Sequence, residues 1–120
     1  MGNKLNNLPL DGVVVLDLTN VLSGPFATLI LSELGANVIK VEKPGGDDSR
    51  AFGPFINGYS GYYISLNRGK KSIELNLKKN KDKNIFEKIL SKSDVLIDNF
   101  KPGTLEKLGF SWKYLSNKYP

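Results

Sequence analysis

The sequence lacks two residue types on which much enzyme chemistry depends, because its 120 residues include no cysteine and no histidine. Without cysteine the chain has no disulfide, no thiolate nucleophile and no Cys-containing zinc site. Without histidine it lacks the commonest general base, the Ser-His and Cys-His catalytic pairs, and the usual ligand of transition metals. Any catalysis by these residues would depend on carboxylates, lysines or tyrosines, and we predict no metal site.

Long hydrophobic runs are also missing. No uninterrupted apolar segment approaches the roughly 20 residues that span a membrane, and residues 1–7 contain no apolar core of a signal peptide. We therefore expect a cytoplasmic protein with no membrane partner. Hydrophobic residues make up 40% of the sequence and charged residues 24%, a composition typical of a globular domain rather than of a disordered chain.

Arginine is scarce, although the chain is basic. Lysine and arginine together number 17 against 12 acidic residues, for a net charge of +5, yet only Arg50 and Arg68 are arginines. One interpretation is a surface for phosphate-bearing partners. The other, which the charge alone favours, is the lysine- and asparagine-rich composition of an AT-rich genome. The lysines are spread along the chain and are not interleaved with aromatic residues on one element, which disfavours nucleic acid as a partner.

A strand–helix–strand pattern opens the chain. Val13–Leu18 is a near-continuous β-branched run, typical of a strand buried on both faces. Residues 23–25 predict a helix start with Pro25 at the first helical position, and Gly35 predicts the left-handed end of this helix. Residues 37–41 form the second strand. This βαβ unit predicts a parallel sheet.

The first predicted helix carries an apolar stripe formed by Phe26, Ile30 and Leu34, at positions i, i+4 and i+8, with Leu31 beside it. We expect this stripe to pack on the sheet. Residues 43–61 contain many glycines and prolines and predict a long loop without regular structure, which is either functional or ordered by a partner.

The second half of the chain continues the alternation of strands and helices. We predict strands at 72–77 and 95–97, a helix whose apolar stripe is Ile85, Phe86, Ile89 and Leu90, and short helical pieces near 105–108 and 112–115. The fold class is therefore α/β, with a Rossmann-like open parallel sheet and helices on both faces. We expect residues 1–120 to be the N-terminal segment of a larger domain whose remaining strands are missing.

Three loops contain the polar residues that could form a site. Open parallel sheets bind ligands beyond the carboxyl ends of their strands, which here lead into residues 19–24, 42–50 and 98–103. The first loop precedes a helix N-terminus, a natural anion site, but it lacks the dinucleotide glycine fingerprint. Glu42 stands where a dinucleotide fold has its ribose-binding acid, or it simply ends a strand in solvent. The third loop predicts either a ligand contact or an Asx turn closed by Pro-Gly.

Five groups of residues, taken together, are more specific than any of these features. They are Pro9–Asp17, Gly24–Ala27, Leu34–Glu42, Asn67 with Lys70–Leu75, and Asp98–Gly103 with Leu108–Phe110. Their order and spacing resemble the family III CoA-transferases, also called the CaiB/BaiF family. That family includes formyl-CoA:oxalate, carnitine and succinyl-CoA transferases and α-methylacyl-CoA racemases. The resemblance covers residues 9–120, which correspond to the first part of the longer family members.

The resemblance implies that coenzyme A is bound as an acyl-CoA substrate. It implies CoA transfer between carboxylic acids through a mixed anhydride and an aspartyl-CoA thioester, with the catalytic Asp beyond Pro120 and no catalytic residue in this chain. Lys43 and Lys107 stand where the family often has arginine, so the charge is kept and the bidentate fork is lost. The implied CoA contacts are Leu22, Ser23, Lys43, Leu75, Asn76, Leu77, Lys78, Asn99, Phe100, Lys101 and Lys107.

The resemblance also implies that the complete enzyme is a homodimer acting on an acyl-CoA and a carboxylic acid. Two alternatives remain open at this point. One is an α-methylacyl-CoA racemase, whose acid/base pair would also lie beyond this chain. The other is a non-catalytic nucleotide-binding module.

Overall fold

The computed structural model describes residues 7–120 and contains six strands and five α-helices there. A short 3₁₀ helix at Asp48–Ala51 follows the second strand. The elements in chain order are β1 (Val14–Asp17), α1 (Ser23–Glu33), β2 (Asn37–Glu42), β3 (Phe55–Ile56), β4 (Tyr59–Ser60), α2 (Gly61–Asn67), β5 (Lys71–Glu74), α3 (Asn80–Leu90), β6 (Val95–Ile97), α4 (Thr104–Lys107) and α5 (Trp112–Lys118). None of the described helices is long and apolar enough to cross a membrane.

The main sheet has four parallel strands in the order β5-β2-β1-β6. Val15 on β1 pairs with Val38 of β2 on one side and with Val95 of β6 on the other. The β-branched run of β1 therefore occupies the centre of the sheet, where both faces are covered. The predicted open parallel sheet is confirmed.

The two faces of the sheet carry separate clusters of apolar side chains. On one face Leu16 and Val41 pack with Phe86 of α3 and with Phe110, and these two phenyl rings meet edge to face with centroids 4.8 Å apart. On the other face Val15 forms a smaller cluster with residues of β2 and α1. Successive residues of β1 point to opposite faces, as expected for a strand. Helices thus cover both faces, and the predicted stripe of α3 is confirmed.

The buried face of α1 differs from the predicted one. Phe26, Ile30 and Leu34 are 52%, 43% and 40% exposed, whereas Thr28 and Leu29 are buried. The helix is apolar nearly all round, so periodicity does not identify the side that faces the sheet. Gly24 marks the side of the helix that packs closely, because a Cβ at this position would lie only 2.3 Å from the Cβ of Thr19. The stripe predicted to pack on the sheet instead forms the outer face of the helix.

Residues 43–61 are more ordered than the sequence predicts. They contain the 3₁₀ helix and the antiparallel β3–β4 hairpin, so the expectation of a structureless loop is wrong. Ser60 then caps α2, since its side chain accepts a hydrogen bond from the N–H of Tyr63. The strand predicted at 72–77 is shorter than expected and ends at Glu74.

Candidate coenzyme A site

All four strands of the main sheet end at the same edge because they are parallel. In the order of the sheet, the loops that leave this edge follow β6, β1, β2 and β5. At a strand spacing of about 4.8 Å, the four strand ends extend over about 14 Å. We call this row of loops the carboxyl edge. It brings together ten of the eleven residues predicted to contact CoA, all except Lys107.

The loop after β1 presents Leu22 and Ser23 at the start of α1. Both residues are exposed, and Leu22 is 54% exposed. The Leu22 carbonyl accepts the N–H of Phe26, and Pro25 has no N–H. The free N–H groups of the first turn of α1 are therefore those of Ser23 and Gly24. These groups and the helix dipole favour a negatively charged or carbonyl ligand.

The loop after β6 is tied to the loop after β1 by a reciprocal pair of hydrogen bonds. The side-chain amide of Asn99 donates to the Asn20 carbonyl at 2.9 Å, and its oxygen accepts the Asn20 N–H at 2.9 Å. The N–H of Phe100 donates to the Asp98 carboxylate at 3.0 Å. This is the Asx turn that the sequence allowed. The ring of Phe100 is half-buried against the core, and Lys101 is exposed. Through its two hydrogen bonds to Asn20, Asn99 connects two loops that contain predicted CoA contacts.

The loops after β2 and β5 place further lysines on the carboxyl edge. The Nζ of Lys43 lies 2.6 Å from the Asp48 carboxylate, and both side chains are more than half exposed. Such an exposed pair holds its lysine only weakly. After β5, Lys78 is exposed and its N–H donates to the Asn76 side chain at 3.1 Å.

Three predicted contact residues are placed less favourably. The side chains of Leu75 and Leu77 belong to the apolar core, so only their backbone can contact a ligand at this edge. Lys107 is exposed on α4, beyond the loop that follows β6. A cavity of about 920 Å³ beside β6 includes Phe100 and Lys101 in its lining. That lining includes no residue of the other three loops, so the cavity does not coincide with the carboxyl edge.

Buried charges beneath the edge are a feature that the sequence analysis missed. Asp17, at the end of β1, is fully buried. Its carboxylate accepts hydrogen bonds from the N–H and hydroxyl of Thr19 at 2.7 and 2.5 Å and from the hydroxyl of Thr28 at 2.6 Å. Lys70 lies 3.3 Å away. Burial lowers the pKa of Lys70 to about 8, although Asp17 opposes the shift.

A second buried ion pair joins Lys40 of β2 to Asp47, with Nζ and Oδ2 2.9 Å apart and both side chains fully buried. Lys40 also donates to the Thr19 carbonyl at 2.9 Å. The N–H and hydroxyl of Ser49 donate to Asp47 at 2.9 and 2.8 Å. Burial alone would raise the pKa of Asp47, but the hydrogen bonds from Lys40 and Ser49 outweigh burial and keep this pKa below its ordinary value.

Glu42 lies at the end of β2, and its side chain is buried. Both interpretations from the sequence, a ribose-binding acid and a strand end in solvent, are therefore wrong. The Glu42 carboxylate accepts the Nε and Nη2 of Arg50 at 2.7 and 2.8 Å. It also accepts the hydroxyls of Tyr63 and Ser72 and the N–H of Asp47. Burial would raise the pKa of Glu42, but these hydrogen bonds outweigh it and lower the pKa to about 2.

One sequence signal pointed to this network. Asp17 and Lys40 are charged residues that stand between apolar neighbours in the predicted strands. A charge at such a position is retained only if it is paired and hydrogen-bonded. The partners Asp47 and Lys70 lie in loops, where nothing in the local pattern distinguishes them from surface residues.

The sequence model of the protein family called CoA-transferase family III matches residues 10–120, which are nearly all of the residues that the structure describes. The chain belongs to CoA-transferase family III. The resemblance predicted from the sequence motifs is thereby confirmed.

Curated relatives of this family III chain are CoA-transferases with different named substrates. It is 50% identical to the acetyl-CoA:oxalate CoA-transferase of Acetobacter aceti, over 93% of this chain and 29% of the relative. It is 48% identical to the human succinyl-CoA:glutarate CoA-transferase, over 98% of this chain and 28% of the relative. The chain thus spans less than a third of the length of these relatives.

Solved structures agree with this assignment. A CaiB/BaiF family protein from Brucella suis superimposes with a TM-score of 0.88 at 39% identity, over 95% of this chain and 32% of that protein. The family III chain therefore has the fold of the CaiB/BaiF proteins in this region.

Proposed function

We propose that this chain is the CoA-binding N-terminal part of a CoA-transferase. The observation that carries the proposal is the carboxyl edge itself. It aligns the first turn of α1 with lysines on the other three loops, Lys43, Lys78 and Lys101. The first turn of α1 lies between Lys101 on one side and Lys43 and Lys78 on the other. A ligand that carries both phosphates and a thioester suits such a row, because lysine charges attract phosphates and free N–H groups bind a carbonyl. We expect Lys107 to contribute from α4.

The residues of the edge would hold CoA in complementary ways. Leu22 and Ser23 offer backbone groups near the thioester end, and the backbone of Leu75 to Lys78 lines the far side. Since the Asn99 amide is engaged with Asn20, we expect it to position the loop after β1. Phe100 offers the exposed part of a half-buried ring.

We further propose that the reaction moves CoA between carboxylic acids through an aspartyl-CoA thioester, with the nucleophilic Asp supplied by a later segment. Asp17, Glu42 and Asp47 each accept at least three hydrogen bonds inside the protein. Carboxylates so engaged are poor nucleophiles, because attack would break those bonds. In this proposal the complete enzyme is a cytoplasmic homodimer, and its substrates are an acyl-CoA and a carboxylic acid.

Two experiments test the proposal at different levels. The first is titration calorimetry of CoA with the protein expressed from its own gene, in which we expect saturable binding. The second replaces the matching segment of the Acetobacter aceti acetyl-CoA:oxalate CoA-transferase with residues 10–120 and measures CoA transfer from acetyl-CoA to oxalate. We expect the chimera to retain transfer, and the 120-residue chain alone to show none.

The outcomes separate binding from catalysis. A chimera that folds but neither binds CoA nor transfers it would contradict the proposal. CoA binding without transfer would instead favour the non-catalytic module or the racemase.

A further inference from the structure

Val21, in the loop after β1, has a backbone conformation that valine rarely adopts. Its φ is +69°, in the left-handed region where the Cβ of an L-residue crowds its own backbone and a β-branched side chain crowds it most. Such a conformation persists only where the surrounding structure imposes it. Val21 immediately precedes Leu22 and Ser23, so its conformation sets how these two residues are presented at the carboxyl edge.

The carboxylate of Asp47, 26 residues away, accepts the N–H of Val21. The N–H of Val21 lies 3.2 Å from each oxygen of that carboxylate. Lys40 and Ser49 fix the carboxylate from behind, and Lys40 also holds the Thr19 carbonyl at 2.9 Å. Two points of the segment 19–21 are therefore tied to one buried ion pair.

Stability alone is a weak explanation for the Lys40–Asp47 pair. Both side chains are fully buried, and a buried ion pair is often no more stabilising than apolar side chains of similar volume. Neither side chain reaches the exposed surface of the edge. What the pair provides is a fixed anchor for an otherwise unfavourable turn, at the point where the loop meets α1.

We propose that Asp47, supported by Lys40, is a positioning residue for CoA. It keeps Val21 left-handed and thereby presents Leu22, Ser23 and the first turn of α1 to the ligand. This inference rests on the proposed CoA-binding function. Without the carboxylate, Val21 relaxes to an ordinary conformation, the binding-competent fraction of the loop falls, and the apparent dissociation constant rises in inverse proportion.

A double-mutant cycle tests this role with titration calorimetry of CoA on the protein expressed from its own gene. We expect Asp47→Asn to raise the dissociation constant about tenfold, which corresponds to about 1.4 kcal/mol. Glycine adopts the left-handed conformation without steric cost. In the Val21→Gly background, Asp47→Asn should therefore raise the dissociation constant by about threefold or less. Glu33→Gln removes an exposed carboxylate of α1 and is the matched control, with no expected change.

Two outcomes would overturn the inference while leaving CoA binding intact. One is an unchanged dissociation constant in Asp47→Asn. The other is the same penalty in the wild-type and Val21→Gly backgrounds, which would show that Asp47 acts on the fold as a whole. If the wild-type protein does not bind CoA, the proposed function fails and this inference fails with it.

Asp47→Asn leaves the Lys40 ammonium buried without its partner, and near-UV circular dichroism reports whether the variant folds. If it does not, Lys40→Met combined with Asp47→Leu removes both charges at once and should fold. This pair should also weaken CoA binding, and less so in the Val21→Gly background. Equal weakening in both backgrounds would again overturn the proposal.

Discussion

Replacing Glu42 with glutamine probes the carboxylate that joins β2, the 3₁₀ helix, α2 and β5. The Glu42 side chain is 3% exposed. It accepts two hydrogen bonds from Arg50, one each from the hydroxyls of Tyr63 and Ser72, and one from the backbone of Asp47. Glutamine has the same shape but presents an amide NH₂ to donors on one side. Part of the cluster is then left without an acceptor, and Arg50 loses its counter-charge.

The expected magnitude follows from the pKa of Glu42, which falls from 4.5 to about 2 on folding. At about 1.4 kcal/mol per unit, the ionised carboxylate contributes about 3 kcal/mol at neutral pH. Because the folded pKa is the lower one, this contribution is complete above about pH 5. It is lost as the pH falls from about 4.5 towards 2. We expect Glu42→Gln to lower the free energy of unfolding by a similar amount at pH 7.

Urea denaturation at pH 7 and at pH 3, followed by circular dichroism, measures both quantities. The difference between wild type and Glu42→Gln should be about 3 kcal/mol at pH 7 and about half of that at pH 3. Glu33→Gln is the control, because Glu33 makes an exposed pair with Arg68 and its loss should cost less than about 1 kcal/mol. A Glu42→Gln protein as stable as wild type at pH 7, or equally destabilised at both pH values, would refute the reasoning.

Two further predictions use matched pairs of substitutions. Phe86→Ala should destabilise the protein by about 3–5 kcal/mol in thermal or urea denaturation, because Phe86 is 0% exposed. Phe26→Ala, on the outer face of α1, should destabilise it by less than about 1 kcal/mol. Equal losses of stability in the two variants would contradict the assigned faces. Lys43→Ala and Lys107→Ala should each weaken CoA binding by about 1–3 kcal/mol, and by less at high salt. Lys92→Ala, at the opposite end of the sheet, should leave the CoA dissociation constant measured by calorimetry unchanged. If all three variants bind CoA as tightly as the wild type, Lys43 and Lys107 are ordinary surface lysines.

Several features of the fold could be predicted from the sequence because they depend on local pattern. The β-branched run at 13–18 predicted a central strand, and the stripe of Phe86 and Leu90 predicted the buried face of α3. The strand–helix–strand order then restricts the sheet to parallel pairing. The ends of parallel strands share one edge, so the contact loops that the family resemblance implied were expected to lie together.

Only the tertiary structure decided the buried face of α1, the order within residues 43–61 and the role of Glu42. Two of the partners of Glu42, Tyr63 and Ser72, are 21 and 30 residues away in sequence. The buried pair of Asp17 and Lys70 spans 53 residues. Local periodicity reports the preference of a segment, but it does not report which charges neutralise one another in the interior. It also does not show that Asp47 holds Val21 in a left-handed conformation. Burying a charge or straining a backbone is favourable only when a partner compensates for it, and chain folding alone brings that partner into place.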